Sequence, residues 1–107
     1  MTRAEFCFVD GKIISFSVKG HSGYSEQGSD IVCAAVSSTV WMTVNALENI
    51  LKLNVEYSQD EADVYFEVSE RDALAAQDFL RGLEQFLCNL SYEYGDYLTV
   101  KEVQKNV

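Results

Sequence analysis

Proline is absent from this sequence of 107 residues. That excludes proline-rich linkers, polyproline recognition segments and any folding step limited by proline isomerisation. Histidine occurs once, as His21, and cysteine three times, as Cys7, Cys33 and Cys88. An odd number of widely spaced cysteines does not make a disulfide framework. One histidine with three scattered cysteines does not make a zinc cluster either, so neither a metal nor a cofactor is implied. Basic side chains are scarce: 8 Lys and Arg stand against 17 Asp and Glu, a formal net charge of −9. Direct nucleic-acid binding rests on phosphate neutralisation by Lys and Arg, so that class is set aside. An acidic surface suits a basic protein or peptide as partner, or simply keeps a small domain in solution. The start, Met1-Thr2-Arg3-Ala4-Glu5, has no apolar stretch behind it. No signal peptide is expected, nor any run long enough to span a membrane. A reducing cytoplasm, where free thiols survive, is the expected compartment.

What is present is a core-forming chain. Residues of apolar type make up 48% of it, enough for one globular domain over residues 1–107 without staples. Residues 4–9 are rich in aromatic and β-favouring side chains. Asp10-Gly11 then gives the signature of a tight type I′ turn, and residues 12–19 alternate, with Ile14, Phe16 and Val18 on the expected core face. Residues 20–29 have no periodicity and read as a loop. From Ser29 and Asp30, both good N-caps, Val32, Val36, Val40, Thr43, Leu47 and Leu51 recur at helical spacing over about six turns. This helix is apolar nearly all round, with Trp41 and Met42 off the main stripe, which predicts cover on more than one side, a partner subunit included. A second hairpin is expected over 53–58 and 63–69, turning at Gln59-Asp60-Glu61. A second helix, capped by Ser69, carries Ala73, Ala76, Leu80, Leu83, Leu87 and Leu90 as its core stripe, widened by Phe79 and Phe86. A last strand over 97–103 completes the order ββαββαβ. The fold class is α+β, a mixed sheet with two packed helices, and the strand order is left open.

The chemistry-bearing residues concentrate between Gly20 and Ser37. Cys33, three residues after Asp30, falls in the first turn of the long helix, where unpaired amides and the helix dipole favour a thiolate. The alternative is a small buried hydrophobe, the assignment that suits Cys7 and Cys88 better. His21 ends the second strand, and the dozen residues to Cys33 span up to about 40 Å when extended, so a His–Cys pair is within reach. Ser37 lies one turn beyond Cys33 on the same face and either bonds the thiol or the imidazole, or bonds its own turn. Asp30 is either the helix cap or an orienting partner for the imidazole. Gly20, Gly23 and Gly28 let backbone amides approach a substrate carbonyl, or simply make the loop flexible.

The run Gly20-His21-Ser22-Gly23, Gly28 and Asp30-Ile31-Val32-Cys33-Ala34-Ala35-Val36-Ser37 resembles the bacterial ribosomal-processing cysteine protease family, Prp. In layout the resemblance covers nearly the whole chain; residue by residue it is confined to positions 20–37. It implies a homodimeric cysteine endopeptidase with a Cys/His dyad that removes the N-terminal extension of the large-subunit ribosomal protein L27 precursor. By position, Cys33 resembles the nucleophile and His21 the general base, with Asp30 and Ser37 as supporting polar residues. Residues 20–29, with Gly20, Ser22, Gly23 and Gly28, resemble the mobile segment that closes over substrate. Ser22 differs from the small apolar residue common there, an exchange expected to matter little. Amides at the start of the helix are expected to hold the oxyanion. The rival expectation is a non-enzymatic ribosome-assembly module that binds a basic ribosomal protein tail.

Overall fold

In the computed structural model, which describes residues 1–105, five strands, β1 (Thr2–Val9), β2 (Lys12–Lys19), β3 (Val55–Asp60), β4 (Asp63–Val68) and β5 (Leu98–Gln104), form one sheet in the order β3-β4-β2-β1-β5. Strands β1 and β2 are the first hairpin. Asp10 and Gly11 both take positive φ, 51° and 77°, as a type I′ turn demands. The pairing slips by one residue between Cys7 and Phe8, so that Cys7 faces Ser15 but Phe8 faces Ile13. This bulge corrects the expected alternation. Ile13 is fully buried and Ile14 is half-buried at the margin of the core, because an inserted residue reverses which side of the pleat its neighbours face. The Gln77 side chain of the second helix accepts from the Ile13 N–H and donates to its carbonyl, each at 2.8 Å.

Helix α1 (Ile31–Asn45) continues without a break into a π-helical turn, Ala46–Ile50. Val32, Val36, Val40, Thr43 and Leu47 of the expected stripe are buried and Val44 joins them, whereas Leu51, expected to end the stripe, lies past the helical turn and stays 41% exposed. The opposite side keeps Ile31, Met42 and Ile50 exposed. Residues 31–50 do have the length and apolarity of a membrane span, which corrects the expectation that no run is long enough. The stripe that makes the segment so apolar lies in the hydrophobic core of this domain, and serines, threonines and asparagines share the rest of its surface.

Strands β3 (Val55–Asp60) and β4 (Asp63–Val68) turn through Glu61-Ala62, two residues later than expected. The N–H of Leu53 is bonded to the Leu47 carbonyl at the helix end, which delays the start of β3. Ser69 caps a short 3-10 turn, Glu70–Asp72, and helix α2 (Ala73–Glu93) begins only after it. Ala73, Ala76, Leu80, Leu83 and Leu87 are buried, but Phe79 and Phe86 stay 42% and 39% exposed instead of widening the core. Strand β5 (Leu98–Gln104) then lies parallel to β1.

Core positions from four strands share one cluster with the buried faces of both helices, so the helices cover a single side of the sheet. Phe6, Phe16 and Phe66 stand in register across β1, β2 and β4. Phe16 and Phe66 stack at 4.9 Å, and Phe6 tilts against Phe16 at 5.7 Å. Each buried phenyl contributes roughly 2–3 kcal/mol of transfer free energy. This row fixes the centre of the sheet, from which β2 delivers the chain to Gly20.

Candidate active site

Gly20 opens the loop between β2 and α1, and it is held from three sides. Its N–H donates to Asp63 Oδ1 at 3.0 Å, and its carbonyl accepts from the Thr2 hydroxyl at 3.2 Å. With φ at +84°, a Cβ at this position would sit 2.8 Å from the Met1 carbonyl oxygen, so only glycine fits. His21 therefore follows a fixed point, with its own side chain exposed.

The other end of the loop is organised by Asp30. Its Oδ1 accepts from the N–H groups of Val32 and Cys33, both at 3.0 Å, the N-cap geometry. Its Oδ2 accepts from the Ser22 hydroxyl at 2.5 Å and from the Ser25 N–H at 3.4 Å. Burial works against ionisation of this carboxyl. The Ser22 hydroxyl and the amides of Cys33, Ser25 and Val32 together outweigh it and hold the group at about 2. Asp30 is thus the cap and also a tie across the loop. Both of its oxygens are engaged away from His21, so in this structure it is the helix cap.

Cys33 is half-buried in the first turn of α1, and its Sγ accepts from the Ser22 N–H at 3.3 Å. His21, Cys33 and Ser37 line one cavity of about 480 Å3 together with Gly20, Gly23, Gly28 and Asp30. Among the described residues, no hydrogen bond joins His21 to Cys33. The first-turn amides expected to hold an oxyanion are already taken. Those of Val32 and Cys33 cap on Asp30, and that of Ala34 bonds the Asp30 carbonyl at 3.1 Å.

Ser22 departs furthest from the sequence expectation. It is 2% exposed and touches both Asp30 and Cys33, so its identity bears directly on the site. Its flanks, His21 and Gly23, gave no periodic signal of burial. The cavity also has a far wall that the motif does not reveal: Trp41 and Val40 from α1, Val64 from β4 and Ala62 from the second hairpin turn. Only Trp41 left a trace in the sequence, as a large side chain off the helix stripe. Its ring meets Tyr57 of β3 edge-on at 5.7 Å. Tyr24 fastens the middle of the loop by edge contacts to Tyr94 and Tyr97, at 5.5 and 5.2 Å.

The family model of cysteine protease Prp matches residues 1–99. The chain belongs to the Prp family of cysteine proteases. A Bacillus subtilis relative, the ribosomal processing cysteine protease Prp, is 33% identical over 97 residues, covering 85% of this chain and 87% of its own. Among solved structures, the fold superposes on the Staphylococcus aureus ribosomal processing protease Prp bearing a covalently linked product peptide. The TM-score is 0.89 at 23% identity, over 95% of this chain and 99% of the other. A Streptococcus mutans protein matches with a TM-score of 0.86 at 28% identity, over 98% and 99% of the two chains. Membership of the Prp family fits a half-buried thiol at a helix start and a cavity large enough for several peptide atoms.

Proposed function

We propose that this protein is a site-specific cysteine endopeptidase that removes the N-terminal extension of the ribosomal protein L27 precursor, with Cys33 as nucleophile and His21 as general base. The observation that carries this reading is that the only histidine and a helix-start thiol open onto one cavity. His21 takes the thiol proton and the Cys33 sulphur attacks the scissile carbonyl. The tetrahedral intermediate collapses as His21 returns the proton to the leaving amine, and water then hydrolyses the acyl-enzyme. The loop glycines Gly23 and Gly28, which line the cavity, offer amides for the oxyanion in place of the first-turn amides spent on the cap. His21 closes on the thiol when substrate orders the loop, a form of induced fit. Ser37, one turn beyond Cys33, serves as a polar neighbour. Asp30 supports the pair through the cap.

Several features support the substrate and setting. The relatives are named for ribosomal processing, and a net charge of −9 suits a basic ribosomal protein. The exposed apolar side of α1, with Ile31, Met42 and Ile50, suits a homodimer. A cytoplasmic setting suits three free thiols.

Incubating the protein and its Cys33→Ala variant with the L27 precursor of the same organism, with products read by mass, tests the reading. A single cut near the precursor N-terminus, lost in the variant, is expected. Equal cutting by both overturns it. A stable complex with no cut identifies a module that binds a basic tail.

A further inference from the structure

Ser22 is a buried residue in an exposed loop. His21 and Gly23 on either side of it are exposed, while Ser22 itself is 2% accessible. Each of its polar groups near the site has a partner. The hydroxyl donates to Asp30 Oδ2 at 2.5 Å and accepts from the Tyr24 N–H at 3.2 Å. The Ser22 N–H donates to Cys33 Sγ at 3.3 Å. The same side chain therefore ties the loop to the helix cap while its backbone amide lies on the sulphur.

We propose that the Ser22 hydroxyl is a latch, a positioning group whose bond to Asp30 holds the Ser22 amide on the Cys33 sulphur and keeps that thiol reactive. An N–H aimed at sulphur favours the thiolate over the thiol, since the charged form is the better acceptor. An O–H donated to a carboxylate is a strong, charge-assisted bond. Asp30 is itself fixed, because its other oxygen caps α1. The latch thus refers the position of the amide to the same helix turn that carries Cys33. Removing the hydroxyl while keeping the volume frees the loop to draw residue 22 away from the sulphur, with the packing otherwise intact. If Ser22 were only a small buried filler, alanine would serve as well. The consequence for peptide cleavage rests on the protease reading above, but the effect on the thiol does not.

The test uses the full chain with Cys7→Ser and Cys88→Ser, so that Cys33 is the single thiol. Its alkylation by iodoacetamide is followed from pH 5 to 9, with and without Ser22→Ala, alongside thermal melting. Ser22→Ala is expected to slow alkylation near neutral pH by about tenfold and to move the rate profile to higher pH, on the scale of one lost donor to an anion. Ser22→Thr, which keeps the hydroxyl, is expected to follow the parent profile. Superimposable profiles for the parent and Ser22→Ala overturn the latch, and so does equal slowing by alanine and threonine. Failure of the parent chain to cut any precursor, with Ser22→Ala still slowing alkylation, overturns the protease reading and leaves the latch standing.

Discussion

Cys33 and Cys88 are both half-buried cysteines on helices, yet their surroundings oppose each other. Cys33 lies in the first turn of α1, where the Ser22 N–H meets its sulphur. Cys88 lies near the far end of α2, where burial first, and then the charges of Glu84 and Glu102, push its thiol up. One sulphur accepts an N–H, and the other is buried near two carboxylates. The residue type is the same in both places, so what makes one a candidate nucleophile is the N–H that meets its sulphur and the cavity it lines. Each helix follows a hairpin, but the entries differ. Asp30 caps α1 directly and pulls the loop onto the helix start. In the second half Ser69 caps a 3-10 turn, and the Asp72 carboxylate that follows is bonded to the Asn54 N–H at 2.8 Å. Only the first entry gathers a thiol, a loop and a cavity.

The sharpest way to break this comparison is to delete each sulphur in turn. Cys33→Ala is expected to lower cleavage of the L27 precursor by about a thousandfold or more, the usual cost of losing a covalent nucleophile. Cys88→Ala is expected to stay within about twofold of the parent. A smaller effect separates the intact thiols. Alkylation at pH 7, mapped by peptide mass, is expected to run more than about tenfold faster at Cys33 than at Cys88, because only the thiolate reacts. Equal labelling would show that the two surroundings do not differ in effect.

The helix entries come next in size. Asp30→Ala removes the cap and is expected to cost about 1 kcal/mol, a fall in Tm of about 4–8 °C for a domain of this length. The acid limb reports the same carboxylate. Its folded-state value, about 2, lies below its ordinary 3.8, so its contribution is present above pH 3.8 and lost as pH falls toward 2. Thermal melts of Asp30→Asn are expected to lack that part of the acid dependence.

A last pH effect, at a group only partly buried, concerns the carboxylates beside Cys88. Burial and the facing Glu102 carboxyl raise Glu84 to about 7, with Arg81 pulling the other way. Its Oε2 is buried without a hydrogen-bond partner among the described residues. A folded-state value above the ordinary 4.5 means that the folded chain holds this proton more tightly. The contribution is complete below pH 4.5 and is lost as pH rises through about 7. Melts from pH 5 to 8 are expected to decline less in Glu84→Gln than in the parent. A parallel decline in both would place the pH dependence elsewhere.

Local signals were enough for the element order. The Asp10-Gly11 turn, the stripe from Val32 to Leu47 and the run from Ala73 to Leu87 each follow from period and propensity within a few residues. The placement of Cys33 three residues after a capping aspartate was equally local, and the resemblance of residues 20–37 to the Prp family made the site legible. Boundaries failed where a distant group intervened. The Leu53 amide spent on the helix end moved β3, and the bulge facing Cys7 and Phe8 put Ile13 in place of Ile14 on the core face.

The sequence by itself determined the order of helices and strands, and that a thiol follows a capping aspartate, because spacing along one chain fixes which side chains share a face. Only the tertiary structure decided that β5 runs parallel to β1 at one edge, and that the turn between β3 and β4 closes the far side of the cavity. It also decided that Thr2 and Asp63 pin Gly20 beneath His21, and that Ser22 is buried against Asp30 and Cys33. These contacts join groups as far as 43 residues apart in the chain. Their geometry depends on how the sheet twists and where the helices settle on it, and no period in the sequence encodes that.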